Sequence, residues 1–156
     1  MGNYLIIGGT KGIGKAVADI LNESGESVHV WARSGEKDSH FTQNDVTSAA
    51  LDLSNLPESL SGVVYCPGSI NLKPFHRLTE EDFYNDWQVN FMGAVRAIQA
   101  VLPLLKKADN ASIVLYSTVA VGTGMPFHAS VAAAKAAVEG LTKSLAAELA
   151  PKIRVN

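Results

Sequence analysis

Cysteine occurs once, at Cys66, so no disulfide can close within the chain, and a reducing, cytoplasmic setting is expected. The four histidines, His29, His40, His76 and His128, lack the spacing of a ligand set, and no metal site is expected. Basic residues form no run and the formal net charge is -2, which argues against nucleic acid and anionic membranes as partners. No signal peptide is legible, and Ile6 stands where an N-terminal acylation motif wants Ser or Thr. No apolar stretch approaches the ~20 residues of a spanning helix. Apolar residues are nonetheless plentiful: 47% of the 156 residues are hydrophobic and 18% charged, the profile of one globular domain over residues 1–156. A chain of this length buries roughly two-thirds of its unfolded surface.

The chain is organised around Leu5-Ile6-Ile7-Gly8-Gly9-Thr10-Lys11-Gly12-Ile13-Gly14. Residues 4–7 read as a strand covered on both faces, because such strands are continuously apolar. Ala16, Val17, Ile20 and Leu21 then fall at helical spacing, and Gly25 is placed to end that helix. Glycines between a strand and a helix let a backbone approach a pyrophosphate, and the helix N-terminus offers free N–H groups.

Residues 28–33 read as a second strand and residues 34–44 as an abbreviated helix or a loop. A third strand is expected within residues 46–53, ending at Asp52-Leu53-Ser54, followed by a short helical turn at 55–60. Residues 62–66 form a fourth strand broken by Pro67-Gly68. Thr79 is an N-cap ahead of Glu80, Glu81 and Asp82, and the helix it opens carries Phe83, Trp87 and Phe91. A long apolar helical stretch covers 89–105, with Pro103 expected to end or kink it. A fifth strand at 112–116, a loop at 122–126, an alanine-rich helix at 130–149 and the opening of a further strand at 152–156 complete the pattern. Strand and helix alternate throughout, as in a parallel sheet wrapped by right-handed crossovers.

The spacing Gly8-x-x-x-Gly12-x-Gly14 resembles the short-chain dehydrogenase/reductase family, most nearly its β-ketoacyl-carrier-protein reductases, and the likeness runs over residues 3–156. It implies a Rossmann-type doubly wound parallel sheet with helices on both faces. It also implies that two later strands and a substrate-covering segment are missing, so that the chain is expected to be the N-terminal part of a longer one. By the same resemblance, Gly8, Thr10, Lys11, Gly12, Ile13 and Gly14 cradle a dinucleotide, and Asp52 and Leu53 contact its adenine, with Asp45-Val46 as the alternative. Tyr65-Cys66-Pro67-Gly68 occupies the place of the family's Asn-Asn-Ala-Gly, where only the glycine matches; Pro67 and Gly68 keep the backbone role. Arg33, about 20 residues past the glycines, stands where an NAD-binding sheet carries an acid for the ribose 2′-hydroxyl. With Lys11 it suits a 2′-phosphate, and NADP(H) is the expected cofactor.

Three polar positions match the family's catalytic set. Asn90 aligns with the asparagine of a proton relay, Thr118 (beside Ser117) with the serine that holds the substrate carbonyl, and Lys135 with the lysine of Tyr-x-x-x-Lys. Asn90 and Lys135 also count as cofactor contacts. A helix-kinking role for Asn90 and a capping role for Thr118 are the structural alternatives. The tyrosine itself is absent: the chain reads Val131-Ala132-Ala133-Ala134-Lys135. Valine neither gives nor takes a proton. Tyr116, Ser130 and His128, or a water chain through Asn90 and Lys135, are the substitutes in reach, although each side chain also reads as packing or surface.

Two functions follow as expectations. One is an NADP(H)-dependent oxidoreductase of a carbonyl or alcohol substrate with a non-standard proton donor. The other is an impaired NADP(H)-binding protein serving as sensor or oligomer partner. The resemblance further implies a homo-dimer or homo-tetramer, through residues 91–105 and the helix after Lys135.

Overall fold

In the computed structural model, residues 1–35 and 39–156 are described; part of the 34–44 segment expected as helix or loop therefore lies outside the described residues. Six strands, β1 (Asn3–Ile7), β2 (Ser27–Ala32), β3 (Phe41–Gln43), β4 (Gly62–Tyr65), β5 (Ala111–Leu115) and β6 (Ile153–Val155), form one sheet. All pair in parallel, in the order β3-β2-β1-β4-β5-β6. The order reverses between β1 and β4, which is the switch point of a Rossmann-type doubly wound sheet. The fold class expected from the sequence is the one observed. β6 sits at an edge and pairs over three residues with β5.

Alternate residues of each strand feed opposite faces. Leu5, Ile7, Val63, Tyr65 and Ile113 meet Ala94, Ala97, Ile98 and Val101 of helix α3 (Gly93–Leu105) and Leu149 of helix α5 (Ala129–Leu149) in the larger core. Ile6 and Val64 meet Val28 and Ala18 of helix α1 (Gly12–Glu23) on the other face. Gly25, at φ +79, closes α1 as expected. Its N–H donates to the Asn22 carbonyl at 2.9 Å and that of Glu26 to the Leu21 carbonyl at 3.0 Å, the two bonds of a Schellman end.

Three expectations need correction. The third strand is Phe41–Gln43, paired to Val30, Trp31 and Ala32, and residues 46–53 are not a strand. The reason lies in Asn44, whose side-chain amide donates to the Asp52 carbonyl at 2.9 Å and accepts from the Asp52 N–H at 2.8 Å. That clamp ties the two ends of a loop and uses the backbone groups a strand would offer a neighbour. Gly122 and Thr123 lie not in a loop but at the end of a short helix α4 (Val119–Thr123). Finally, the continuous helical run Glu80–Leu105, 26 residues with a window of mean hydropathy 1.2, is long and apolar enough to cross a membrane by length and composition. Its apolar content is accounted for by the sheet, since Ala94, Ala97, Ile98, Val101 and Leu105 are buried there. Pro103 neither breaks nor ends this run, which continues to Leu105, because it lies in the last turn.

Helix α2 (Glu80–Trp87) opens on the expected cap, completed as a capping box. Thr79 Oγ1 accepts from the Asp82 N–H at 3.2 Å, and an Asp82 oxygen accepts from the Thr79 N–H at 3.0 Å. Lys73 Nζ donates to both Asp82 oxygens at 2.8 Å and holds that carboxyl below the usual carboxylate range, with the Thr79 N–H acting in the same sense. A pKa depressed by folding means that stabilisation is complete above the unfolded value, about 4, and drains as pH falls through the folded one. Asp82→Asn is therefore expected to lower Tm at neutral pH and to flatten its decline in acid, as read by thermal melts along a pH series.

Candidate functional site

Parallel pairing brings the C-terminal ends of β1, β2 and β4 to one edge, where the chain encloses a cleft of about 490 Å³. Its floor is the turn from Gly8 to Gly14. Gly8 (φ +78) and Gly12 (φ +58) hold the left-handed conformations that glycine adopts without strain. Gly14 is required for a different reason: a Cβ there would collide with the Gly8 carbonyl oxygen, so α1 could no longer start against the end of β1. No side chain caps α1, whose N-cap is Lys11, so its first N–H groups remain available at the cleft.

Thr10, Lys11, Gly12, Ile13, Arg33, Pro67 and Gly68 all border this cleft, as expected. Asp52 and Leu53 do not; the cleft is bordered instead by Asn44, Asp45, Val46 and Thr47, immediately after β3. Asp52 is turned to its own backbone, accepting from the Ser54 N–H at 2.8 Å. Of the two alternatives, Asp45-Val46 borders the cleft and Asp52-Leu53 does not. Sequence reasoning missed Trp31, which lines the same end of the cleft, is fully buried, and has an indole Nε1 without a hydrogen-bond partner.

Beside the cleft the helical run changes pitch. Over Gln88–Met92 it makes a π turn, in which the Gly93 N–H reaches back to the Gln88 carbonyl. This frees the Val89 carbonyl, which accepts from Tyr65 Oη at 2.6 Å. A Cβ on Gly93 would strike that same hydroxyl. Asn90, wholly buried in the π turn, donates to the Asp86 carbonyl at 2.9 Å and to the Ser69 carbonyl at 3.1 Å. Its helix-distorting role is therefore realised, and it fixes the loop after Gly68.

Thr118 Oγ1 accepts from the Ala120 N–H at 3.3 Å as the N-cap of α4, which leaves its own proton free to be donated. Ser117 Oγ donates instead to Glu139. Lys135 Nζ donates to the Tyr116 carbonyl at 2.8 Å, two residues from Thr118. Burial draws the Lys135 pKa below its ordinary value, and burial pushes the Cys66 thiol up to about 11 against the pull of the Lys135 ammonium. Cys66 is thus a neutral wall of the cleft rather than a nucleophile. Val131 is buried, at 5% exposure. Of the side chains expected as alternative proton donors, Tyr116 packs against Ile6, Ala18, Val28 and Val64, and His128 Nδ1 is engaged at 2.7 Å by the Pro126 carbonyl. Ser130 is buried and donates to Asp86 Oδ2 at 2.6 Å.

A family profile for short chain dehydrogenases matches residues 3–156. The chain belongs to the short-chain dehydrogenase family. It is 34% identical over 179 residues to a tropinone reductase homolog from Arabidopsis thaliana, covering 99% of this chain and 67% of that protein. It is 27% identical over 157 residues to the 3-ketodihydrosphingosine reductase of Bacteroides thetaiotaomicron, covering 94% of this chain and 58% of the relative. Among solved structures, the ligand-free aldohexose dehydrogenase of Thermoplasma acidophilum superposes with a TM-score of 0.90 at 26% identity, over 99% of this chain and 64% of that one. A short-chain dehydrogenase of Shigella flexneri complexed with NADP shares the fold, with a TM-score of 0.92 at 24% identity over 99% and 74% of the two chains. The chain thus spans about two-thirds or less of the length of the first two relatives.

The close approach of Gly14 to the Gly8 carbonyl makes a direct prediction. Gly14→Ala should destabilise the fold by about 1–3 kcal/mol through overpacking, seen as a lower denaturation midpoint.

Proposed function

We propose that the chain forms the cofactor-binding part of an NADP(H)-dependent oxidoreductase acting on a carbonyl or alcohol substrate, with a proton donor other than the missing tyrosine. The observation that carries the cofactor choice is the cleft rim. Lys11 and Arg33 both border it, exposed, and β2 ends in Ala32 rather than in an acid that would repel a 2′-phosphate. The glycine turn and the uncapped start of α1 fit a pyrophosphate, and Trp31, whose buried N–H lacks a partner, lines the end where Asp45 and Val46 stand ready for an adenine. When bound, the nicotinamide supplies or accepts the hydride. The chain's own part is to hold the substrate oxygen from the Thr118 hydroxyl, to place Lys135 beside it at the end of β5, and to fix the loop after Gly68 with Asn90. The parallel with tropinone and 3-ketodihydrosphingosine reductases, named for reducing ketones, supports a carbonyl substrate.

A second reading, an impaired NADP(H)-binding protein acting as sensor or oligomer partner, is favoured by Val131, an apolar side chain where the family's proton donor stands. In either case a homo-dimer or homo-tetramer would use the outer faces of α3 and of α5 beyond Lys135. A reducing, cytoplasmic setting suits the lone half-buried thiol.

NADPH oxidation against a panel of carbonyl compounds, run beside Val131→Tyr, separates the two. Turnover by the wild type is expected, whereas a silent wild type revived by Val131→Tyr would select the second reading. Arg33→Ala should weaken NADPH binding about 10- to 100-fold while leaving NADH binding unchanged, because one or two charge-assisted hydrogen bonds are lost.

A further inference from the structure

Helix α2 buries one residue, and it is an acid. Tyr84 and Trp87 are exposed, at 62% and 38%, whereas Asp86, between them, is 0% exposed. Its two carboxylate oxygens are each taken by a hydroxyl: Ser69 Oγ donates to Oδ1 and Ser130 Oγ to Oδ2, both at 2.6 Å. Asn90 Nδ2 also donates to Ser69 Oγ, at 3.1 Å, and so holds that hydroxyl in line. No Lys or Arg pairs with Asp86: among the described residues the ion pairs are Lys15–Asp19 and Lys73–Asp82. A buried carboxylate without a cation costs more than an apolar residue of its size, so packing alone does not account for it.

The two hydroxyls open on different cavities. Ser69 borders the dinucleotide cleft, next to Gly68. Ser130, one residue before Val131, lies at the floor of a separate groove of about 310 Å³ between α2 and α5, walled by Phe83, Trp87 and Ala133. Ser69, Asp86 and Ser130 therefore make one unbroken chain of short hydrogen bonds across the interior.

We propose that Ser69, Asp86 and Ser130 form a proton conduit between the cleft and the α2–α5 groove, which replaces the hydroxyl missing at position 131. The proposal rests on the oxidoreductase reading above. In the alcohol-to-carbonyl direction, the substrate O–H bond breaks toward Ser69 Oγ as the hydride leaves the carbon for the nicotinamide. The Ser69 proton passes to Asp86 Oδ1; the neutral carboxyl then turns that O–H to Ser130 Oγ, whose own hydroxyl releases its proton to water in the groove, which restores the carboxylate. Reduction runs the same steps backwards: one hydride and one solvent proton are consumed, and the alkoxide oxygen takes its proton from Ser69. Ser69 is the only member that borders the cleft; Asp86 and Ser130 act through it as positioning and relay groups.

The test uses the full-length polypeptide and the variants Asp86→Asn, which keeps the shape but replaces one accepting oxygen by a donating amide and cannot take up a proton, and Ser130→Ala. Single-turnover NADPH oxidation should fall about 100-fold in Asp86→Asn, the scale of general acid–base catalysis, with NADPH affinity unchanged. In the protein without cofactor, H₂O-minus-D₂O infrared difference spectra should show a band of the hydroxyl protons held by Asp86 that shifts in Asp86→Asn. Exchange of that band's proton with D₂O should slow in Ser130→Ala. Full single-turnover rate in Asp86→Asn, or wild-type exchange in Ser130→Ala, would overturn the conduit while leaving the oxidoreductase reading intact. A wild type that fails to bind NADPH would instead overturn that reading, and the exchange measurement would still decide whether the path carries protons.

Discussion

A strand buried on both faces can present polar groups only at its ends, and the site follows from that constraint. β1 and β4 lie side by side in the middle of the sheet, with Leu5, Ile6 and Ile7 in one and Val63, Val64 and Tyr65 in the other shielded from water. Chemistry is displaced to their C-terminal ends, where the chain must turn. The order of strands reverses there, so two loops diverge and leave a crevice that the core does not fill. Lys11, Arg33 and Gly68 reach the crevice because each lies just past the C-terminal end of one of these strands.

Much of this architecture was legible in the sequence because it rests on short-range patterns. The apolar run before Gly8, the helical spacing of Ala16 to Leu21, the Thr79 cap and the alanine-rich stretch before Leu149 each state their own geometry. The third strand was not legible. Phe41, Thr42 and Gln43 are too few to show alternation, and their neighbour Asn44 closes a loop by a bond to Asp52 eight residues away, which no local pattern announces. The border of the cleft falls at Asp45 rather than Asp52 for the same reason.

The π turn and the buried carboxylate were hidden differently. Phe83, Trp87 and Phe91 at helical spacing draw the eye to an apolar stripe, yet Trp87 and Phe91 stack on each other at 4.4 Å near the surface, and Asp86 and Asn90 face inward. Asp86 and Asn90 are themselves four residues apart, so an inward polar stripe was present in the sequence. What the sequence did not contain was the partner list, since Ser69 and Ser130 arrive from a loop and a helix distant in the chain. Val131 and Lys135, by contrast, lie one turn apart on α5, as their spacing states.

The π turn ties three positions into one unit of inheritance. Tyr65 brings a hydroxyl, Val89 a carbonyl released by the change of pitch, and Gly93 the space in which the two meet. Replacing the tyrosine strands a carbonyl, and filling the glycine expels the hydroxyl. Losing both together removes a contact already gone, so the combined cost falls below the sum of its parts. Such positions drift as a set or stay fixed as a set, and the bend that buries Asn90 against Ser69 has only those two fates.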